Sequence, residues 1–195
     1  MYVVLEGSNN VGKSTVLPRV KHLLKEYFNE YDKENVTINI FHEGDTCSEH
    51  HNNFYEAVLD YARDRAKLQQ EIWGNEYVNI TISDRSYYSS LVYQGKGNRE
   101  QITYVRMVNQ FAKEPCLIFY LWNDNDNRLH NLYEDVLPFG RVWHMWTKVK
   151  DVESTVEEIA EIIFLRWLEM YTDLSDEEQA HELRDIKNKL IEKKR

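Results

Sequence analysis

Apolar positions change period several times along this chain, and each change marks an element. Tyr2, Val3, Val4 and Leu5 form a short, β-branched apolar run, the mark of a buried strand. Leu17, Val20, Leu24 and Phe28 then recur at helical spacing, predicting a helix from residue 14 to about 31. Pro18 falls in its first turn, where a missing N–H costs little. Residues 35–41 alternate and read as a second strand. Phe54, Val58, Tyr61, Arg65, Leu68 and Ile72 share one face of a helix over about 49–73. An arginine on such a stripe is either paired and buried or exposed at a ligand cleft. Residues 77–82 give a third strand, followed by helices over about 86–93 and 99–113. The unbroken apolar run 116–122 suits a strand covered on both faces, and 141–149 alternates as a fifth. Between those two strands, the polar segment 123–140 reads as a short mobile excursion. Ser154 to Glu157 forms a capping box for a helix to about Tyr171, and Ser175 to Glu178 forms another for a charged C-terminal helix. The spaced Leu183, Ile186, Leu190 and Ile191 of that last helix read as a solvated amphipathic face in preference to a docking stripe. Strand and helix alternate throughout, which predicts an α/β fold: a five-stranded parallel sheet with helices on both faces. Residues 1–171 would form the body and 172–195 a C-terminal helix.

The chain of 195 residues has a net charge of -9 and a pI near 5.3. That balance argues against a broad nucleic-acid-binding face, so a polyanionic ligand must be held by local cations. No segment reads as a leader or membrane span, because the N-terminus is itself strand sequence. Cys47 and Cys116 stand far apart without metal-ligand spacing, which points to free thiols in a reducing cytoplasm. His50, His51 and His144 likewise lack zinc-ligand spacing.

Chemistry concentrates first at residues 7–14, which fit G-x-x-x-x-G-K-[ST] at every fixed position between a strand and a helix. Gly7 and Gly12 allow the backbone to approach a phosphate, and the loop and first-turn amides point at the anion. Lys13 adds a mobile charge at the β- and γ-phosphates, and the Ser14 hydroxyl is placed for Mg²⁺. ATP with Mg²⁺ is the expected cofactor, its phosphates held by Gly7, Asn10, Val11, Gly12, Lys13, Ser14 and Thr15. The third strand ends in Asp84-Arg85-Ser86, at the sheet edge where open α/β sheets bind ligands.

Beyond that loop, several stretches resemble the thymidylate kinase family of nucleoside monophosphate kinases. Asp84-Arg85-Ser86 through Tyr93-Gln94 resembles the family's D-R-Y…S…A-Y-Q, and Tyr61 to Ala66 resembles F-A-x-D-R-A. His42 to Thr46 is similar to R-E-P-G-G-T, one residue shorter and without its arginine. The fifth strand and residues 151–163 resemble the family's closing strand and helix. The resemblance implies phosphoryl transfer from ATP to a deoxynucleoside monophosphate, dTMP first. It implies that Arg85 grips the acceptor phosphate and that Asp84 helps hold Mg²⁺. It implies that Tyr61 stacks on the base, Arg65 bonds a base carbonyl, Ser90 lies near the base and Tyr93 disfavours a 2′-hydroxyl. Asn9 stands where the family usually carries an acidic residue on the acceptor sugar. The lid is cut down to 123–140, leaving Arg128 and Arg141 as its arginines for the transferred phosphoryl, with Lys148 as a substitute. Family members are usually homodimers, and the compact size suits a viral enzyme acting in a host cytoplasm.

Two other classes stay open. A deoxynucleoside kinase would share the loop and use Glu43 as general base on a sugar hydroxyl. A non-catalytic nucleotide-binding module would fit the short lid and Asn9.

Overall fold

The computed structural model describes residues 1–31, 35–44, 47–48, 50–73, 79–123, 127–137, 143–149, 151–172 and 175–193, with backbone alone at 71–73, 79, 127–128, 143–146, 148, 191 and 193. The elements run β1 Tyr2–Gly7, α1 Lys13–Glu30, β2 Thr37–His42, α2 Phe54–Trp73, β3 Asn79–Asp84 and α3 Tyr87–Tyr93. They continue α4 Arg99–Val108, β4 Leu117–Trp122, α5 Asn127–Val136, β5 Trp143–Lys148, α6 Val152–Tyr171 and α7 Glu177–Lys193. The strands form one five-stranded sheet in the order β2-β3-β1-β4-β5. Every pairing is parallel, with Leu5 beside Asp84 and Gly7 beside Leu121. The α/β class, the strand number and the two-sided covering all match the expectation.

Strand parity explains the two faces. Val3 and Leu5 point, with Phe119 and Leu121, into the main core beneath α1 and α6. Ile118 and Tyr120 point the other way, into a second core with α3, α5 and Val58 of α2. Tyr2 and Val4 share that second side and pack on Leu68. Glu6 has the same parity as Tyr2 and Val4, so the strand itself aims this carboxyl at α3 and α5.

Several expectations need correction. Segment 123–140 contains helix α5, whose Tyr133 and Val136 are buried together with Leu137 just after it, so this part is a packed element and not a mobile excursion. Helix α2 begins at Phe54, not near 49, and α4 ends at Val108, leaving Phe111 exposed. Helix α6 is capped by Asp151, whose Oδ2 accepts from the Ser154 amide at 2.8 Å, so Ser154 is not the cap. Asp176 caps α7, accepting from the Glu178 amide at 2.9 Å and the Gln179 amide at 3.2 Å. Helix α7 is docked: Leu183, Ile186 and Leu190 are buried in the main core. The stripe was visible in the sequence, but the charge around it favoured the solvated reading that the structure overturns. Cys47 and Cys116 are free thiols.

Candidate active site

The C-terminal ends of β1, β2 and β3 meet at one edge, and the chemistry-bearing side chains gather there. Gly7 ends β1 in positive φ, and a Cβ on it would sit 2.3 Å from the Leu121 carbonyl oxygen of β4. Only glycine lets the chain turn into the loop so close to the neighbouring strand. The loop then passes Asn10 and Gly12, both at positive φ, and enters α1 at Lys13. The first turn of α1 is thus aimed back at the sheet edge, with Ser14 and Thr15 exposed.

Lys13 is buried, and its Nζ donates to Gly7 O at 3.0 Å and Ser8 O at 2.8 Å. Burial, with the Arg85 charge beside it, lowers its pKa to about 8. Arg85 reaches the same loop from the end of β3. Its Nη1 donates to Gly7 O at 3.2 Å and to Ser89 Oγ at 3.0 Å, and its Nη2 donates to Asn9 Oδ1 at 2.5 Å. Its guanidinium carbon lies 4.8 Å from the Tyr93 ring centroid. The backbone of Arg85 is left-handed, at φ 78°, an uncommon state for a residue with a side chain. The ammonium and the guanidinium therefore converge on one carbonyl oxygen, that of Gly7.

A cavity of about 250 Å³ opens beside Arg85, lined in part by Asn9, Glu43, Tyr61, Ser90, Tyr93 and Gln94. Gly44, at φ 98°, keeps its backbone against Tyr61, where a Cβ would come to 3.1 Å from the ring. Asp64 pins that turn by accepting from the Gly44 amide at 2.8 Å. Glu43 is buried, and burial outweighs the pull of Arg65, raising its pKa to about 7. One Glu43 oxygen pairs with Arg65; the other is buried without a hydrogen-bond partner.

Arg65 takes the paired and buried form. It binds Glu43, donates to Ser90 Oγ from both Nη1 and Nη2 at 3.1 Å, and to Asn109 Oδ1 at 3.0 Å. It stands behind Glu43 and Ser90, not on the cavity wall. Asp84 lies at the end of β3, with Oδ1 buried and unpartnered and Oδ2 3.6 Å from His42 Nδ1. The side chains of Arg128 and Lys148, and all of Arg141, lie outside the described residues. The described residues hold no group of three metal-ligating His, Cys, Asp or Glu side chains.

Sequence reasoning missed a buried polar cluster beneath Arg85. Glu6 is fully buried, accepting from Ser86 Oγ and from Ser89 Oγ, each at 2.6 Å. Tyr133 of α5 places its hydroxyl 2.9 Å from Ser89 Oγ and 3.2 Å from Glu6 Oε2. Burial raises the Glu6 pKa, against the pull of the Ser86 and Ser89 hydroxyls and of Arg85 and Lys13. A charged residue directly after an apolar strand run was the available signal.

With this geometry in view, the sequence profile of the family described as thymidylate kinase matches residues 5–183. The chain belongs to the thymidylate kinase family. Among curated relatives, the probable thymidylate kinase of Methanobrevibacter smithii is 30% identical over 130 residues, covering 62% of this chain and 63% of that one. The probable thymidylate kinase of Methanosphaera stadtmanae is 31% identical over 140 residues, covering 66% of this chain and 70% of that one. The chain thus spans about two thirds of the length of these thymidylate kinase relatives. In three dimensions it is similar to the crystal structure of thymidylate kinase from Ehrlichia chaffeensis, with TM-score 0.64 and 15% identity over 84% of this chain and 98% of that one. The thymidylate kinase structure from Candida albicans gives TM-score 0.61 at 16% identity, over 83% and 90%. At those identities the likeness speaks for the fold, and it is the fold of this family.

Proposed function

We propose that this thymidylate kinase family member transfers the γ-phosphoryl of ATP to dTMP, giving dTDP. The observation that carries the reading is the convergence of Lys13 and Arg85 on Gly7 O beside a cavity with an aromatic wall. Two cations that close repel each other unless anions come between them, and a donor and an acceptor phosphate meeting end to end supply those anions.

The residues present fit ATP and Mg²⁺. The loop amides and Lys13 form an anion cradle, while the exposed Ser14 hydroxyl and the unpartnered Asp84 Oδ1 are the hard oxygen donors Mg²⁺ prefers. Bound there, Mg²⁺ supplies charge neutralisation on the phosphoryl oxygens. Lys13 leaves its carbonyl partners for the phosphates. Arg85 aligns the acceptor phosphate for in-line attack by one of its anionic oxygens on the γ-phosphorus. That oxygen carries no proton to remove, so the transfer needs no general base. Tyr61 stacks on the base, Ser90, held from behind by Arg65, reads its polar edge, and Tyr93 and Asn9 flank the sugar. Arg128 and Arg141 are the arginines that the family resemblance assigns to the transferred phosphoryl. The protein works in the cytoplasm without nucleic acid or membrane partners, and exposed Tyr55, Leu59, Met107 and Phe111 suit a homodimer.

Calorimetric titration tests the acceptor assignment. Wild type binds dTMP in preference to thymidine, and Arg85→Ala weakens dTMP by ~100-fold, the worth of lost charge-assisted hydrogen bonds. Unchanged dTMP affinity in that variant would remove Arg85 from the acceptor site.

A further inference from the structure

We infer that Tyr133 is a positioning residue for Arg85, its hydroxyl locking Ser89 and Glu6 so that the guanidinium is held over the phosphate loop. The inference rests on the reading of Arg85 as the acceptor-phosphate grip. It assigns to helix α5 a role beyond packing.

Counting protons fixes the arrangement. A serine hydroxyl has one proton and two acceptor sites, and an arginine can only donate. Ser89 Oγ lies 2.6 Å from Glu6 Oε2, 3.0 Å from Arg85 Nη1 and 2.9 Å from the Tyr133 hydroxyl. Ser89 donates to Glu6 Oε2, the shortest of the three contacts. Arg85 takes one acceptor site of Ser89, and the Tyr133 O–H, which also lies 3.2 Å from Glu6 Oε2, takes the other. The Ser89 hydroxyl is thereby held from three sides, with one lone pair kept on the guanidinium. Ser86 donates to the other Glu6 oxygen at 2.6 Å, which holds the carboxylate plane.

Without the Tyr133 hydroxyl, one acceptor site of Ser89 loses its donor. Tyr133 and Glu6 are both fully buried, so that site faces the protein interior and not the cavity that Ser89 also borders. Ser89 then turns, and Nη1 keeps only the Gly7 carbonyl. Arg85 is then held by Gly7 O, Asn9 Oδ1 and the Tyr93 ring, without the Ser89 contact. The loss therefore appears as looser guanidinium orientation. On the donor side, the Tyr133 hydroxyl reaches only Gly7 O, at 3.5 Å, a contact too long to hold the loop, so the ATP site changes far less.

Two readouts test this. In protein labelled with [15N]arginine, Arg85 gives a guanidinium signal identified by its absence in Arg85→Lys. In Tyr133→Phe, exchange of its Nη protons speeds up by about tenfold and the KM for dTMP rises by about tenfold, while the KM for ATP moves less than twofold. Ser89→Ala gives the same pattern, and combining it with Tyr133→Phe adds nothing, because both act through one contact. An unchanged Arg85 signal in Tyr133→Phe overturns the inference, as does an equal rise in both KM values alongside a lower melting temperature. Should wild type fail to turn over dTMP, the proposed function falls, and the Nη exchange still decides the role of Tyr133.

Discussion

Lys13 and Glu43 carry the clearest consequences at the scale of single residues. The Lys13 pKa, near 8, lies below that of a free lysine, so between about 8 and 10.5 the folded protein binds fewer protons here than the unfolded chain. This group therefore makes the ligand-free protein more stable as pH rises through that window, the cost of burying its charge being fully present below 8. Bound phosphates favour the charged form. ATP affinity, followed by fluorescence titration, accordingly falls above pH 8, approaching tenfold per pH unit, and Lys13→Gln binds weakly with no such slope. Glu43 has the opposite sign. Its folded pKa, near 7, lies above the ordinary 4.5, so its contribution to stability declines as pH rises between those values. Glu43→Gln keeps an acceptor for Arg65 and removes that titration. Its melting temperature relative to wild type thus increases from pH 5 to pH 8, and a constant difference would mean that Glu43 is not the group disfavoured by burial.

At the scale of elements, the docked C-terminal helix makes the sharpest claim. Ile186 is buried in the main core, so Ile186→Ala costs about 2–5 kcal/mol in urea unfolding. In a solvated α7 the same change would be neutral or stabilising by a few tenths of a kcal/mol, since alanine is the better helix former. This helix also shows where sequence stops being legible. Strands and buried helices announced themselves because their apolar period is uninterrupted, and β1, the loop and α1 could be read from residues 1–31 alone. Caps were misplaced because Asp151 stands three residues before Ser154 and Asp176 directly after Ser175, serines that could cap as well, and only three-dimensional geometry chooses between them. Helix α5 was missed because its polar composition hid apolar spacing at Leu129, Leu132, Tyr133 and Val136. The pairing of Arg85 with Asp84 at a strand end was visible, since adjacent residues carried it. The cluster of Glu6, Ser89 and Tyr133 was not, because its members lie 83 and 127 positions apart from Glu6 and no local period joins them. Arg65 falls between: its odd place on an apolar stripe was legible, its partners were not.

At the scale of the whole molecule, a chain of net charge -9 gathers Lys13 and Arg85 at one sheet edge. The long-range field repels nucleotides, so affinity must come from these local groups and the loop amides. The sheet supplies the distance between them, because β1 and β3 are neighbours with Leu5 beside Asp84. That adjacency makes two phosphate grips one crevice, and a single assay asks whether the crevice transfers a phosphoryl group. In a coupled ADP-release assay with ATP and Mg²⁺, dTMP and thymidine are supplied side by side. The account predicts turnover with dTMP, none with thymidine, and loss of the dTMP signal in Arg85→Ala. Turnover with thymidine alone, or ATP binding without transfer to any common deoxynucleotide, would contradict it.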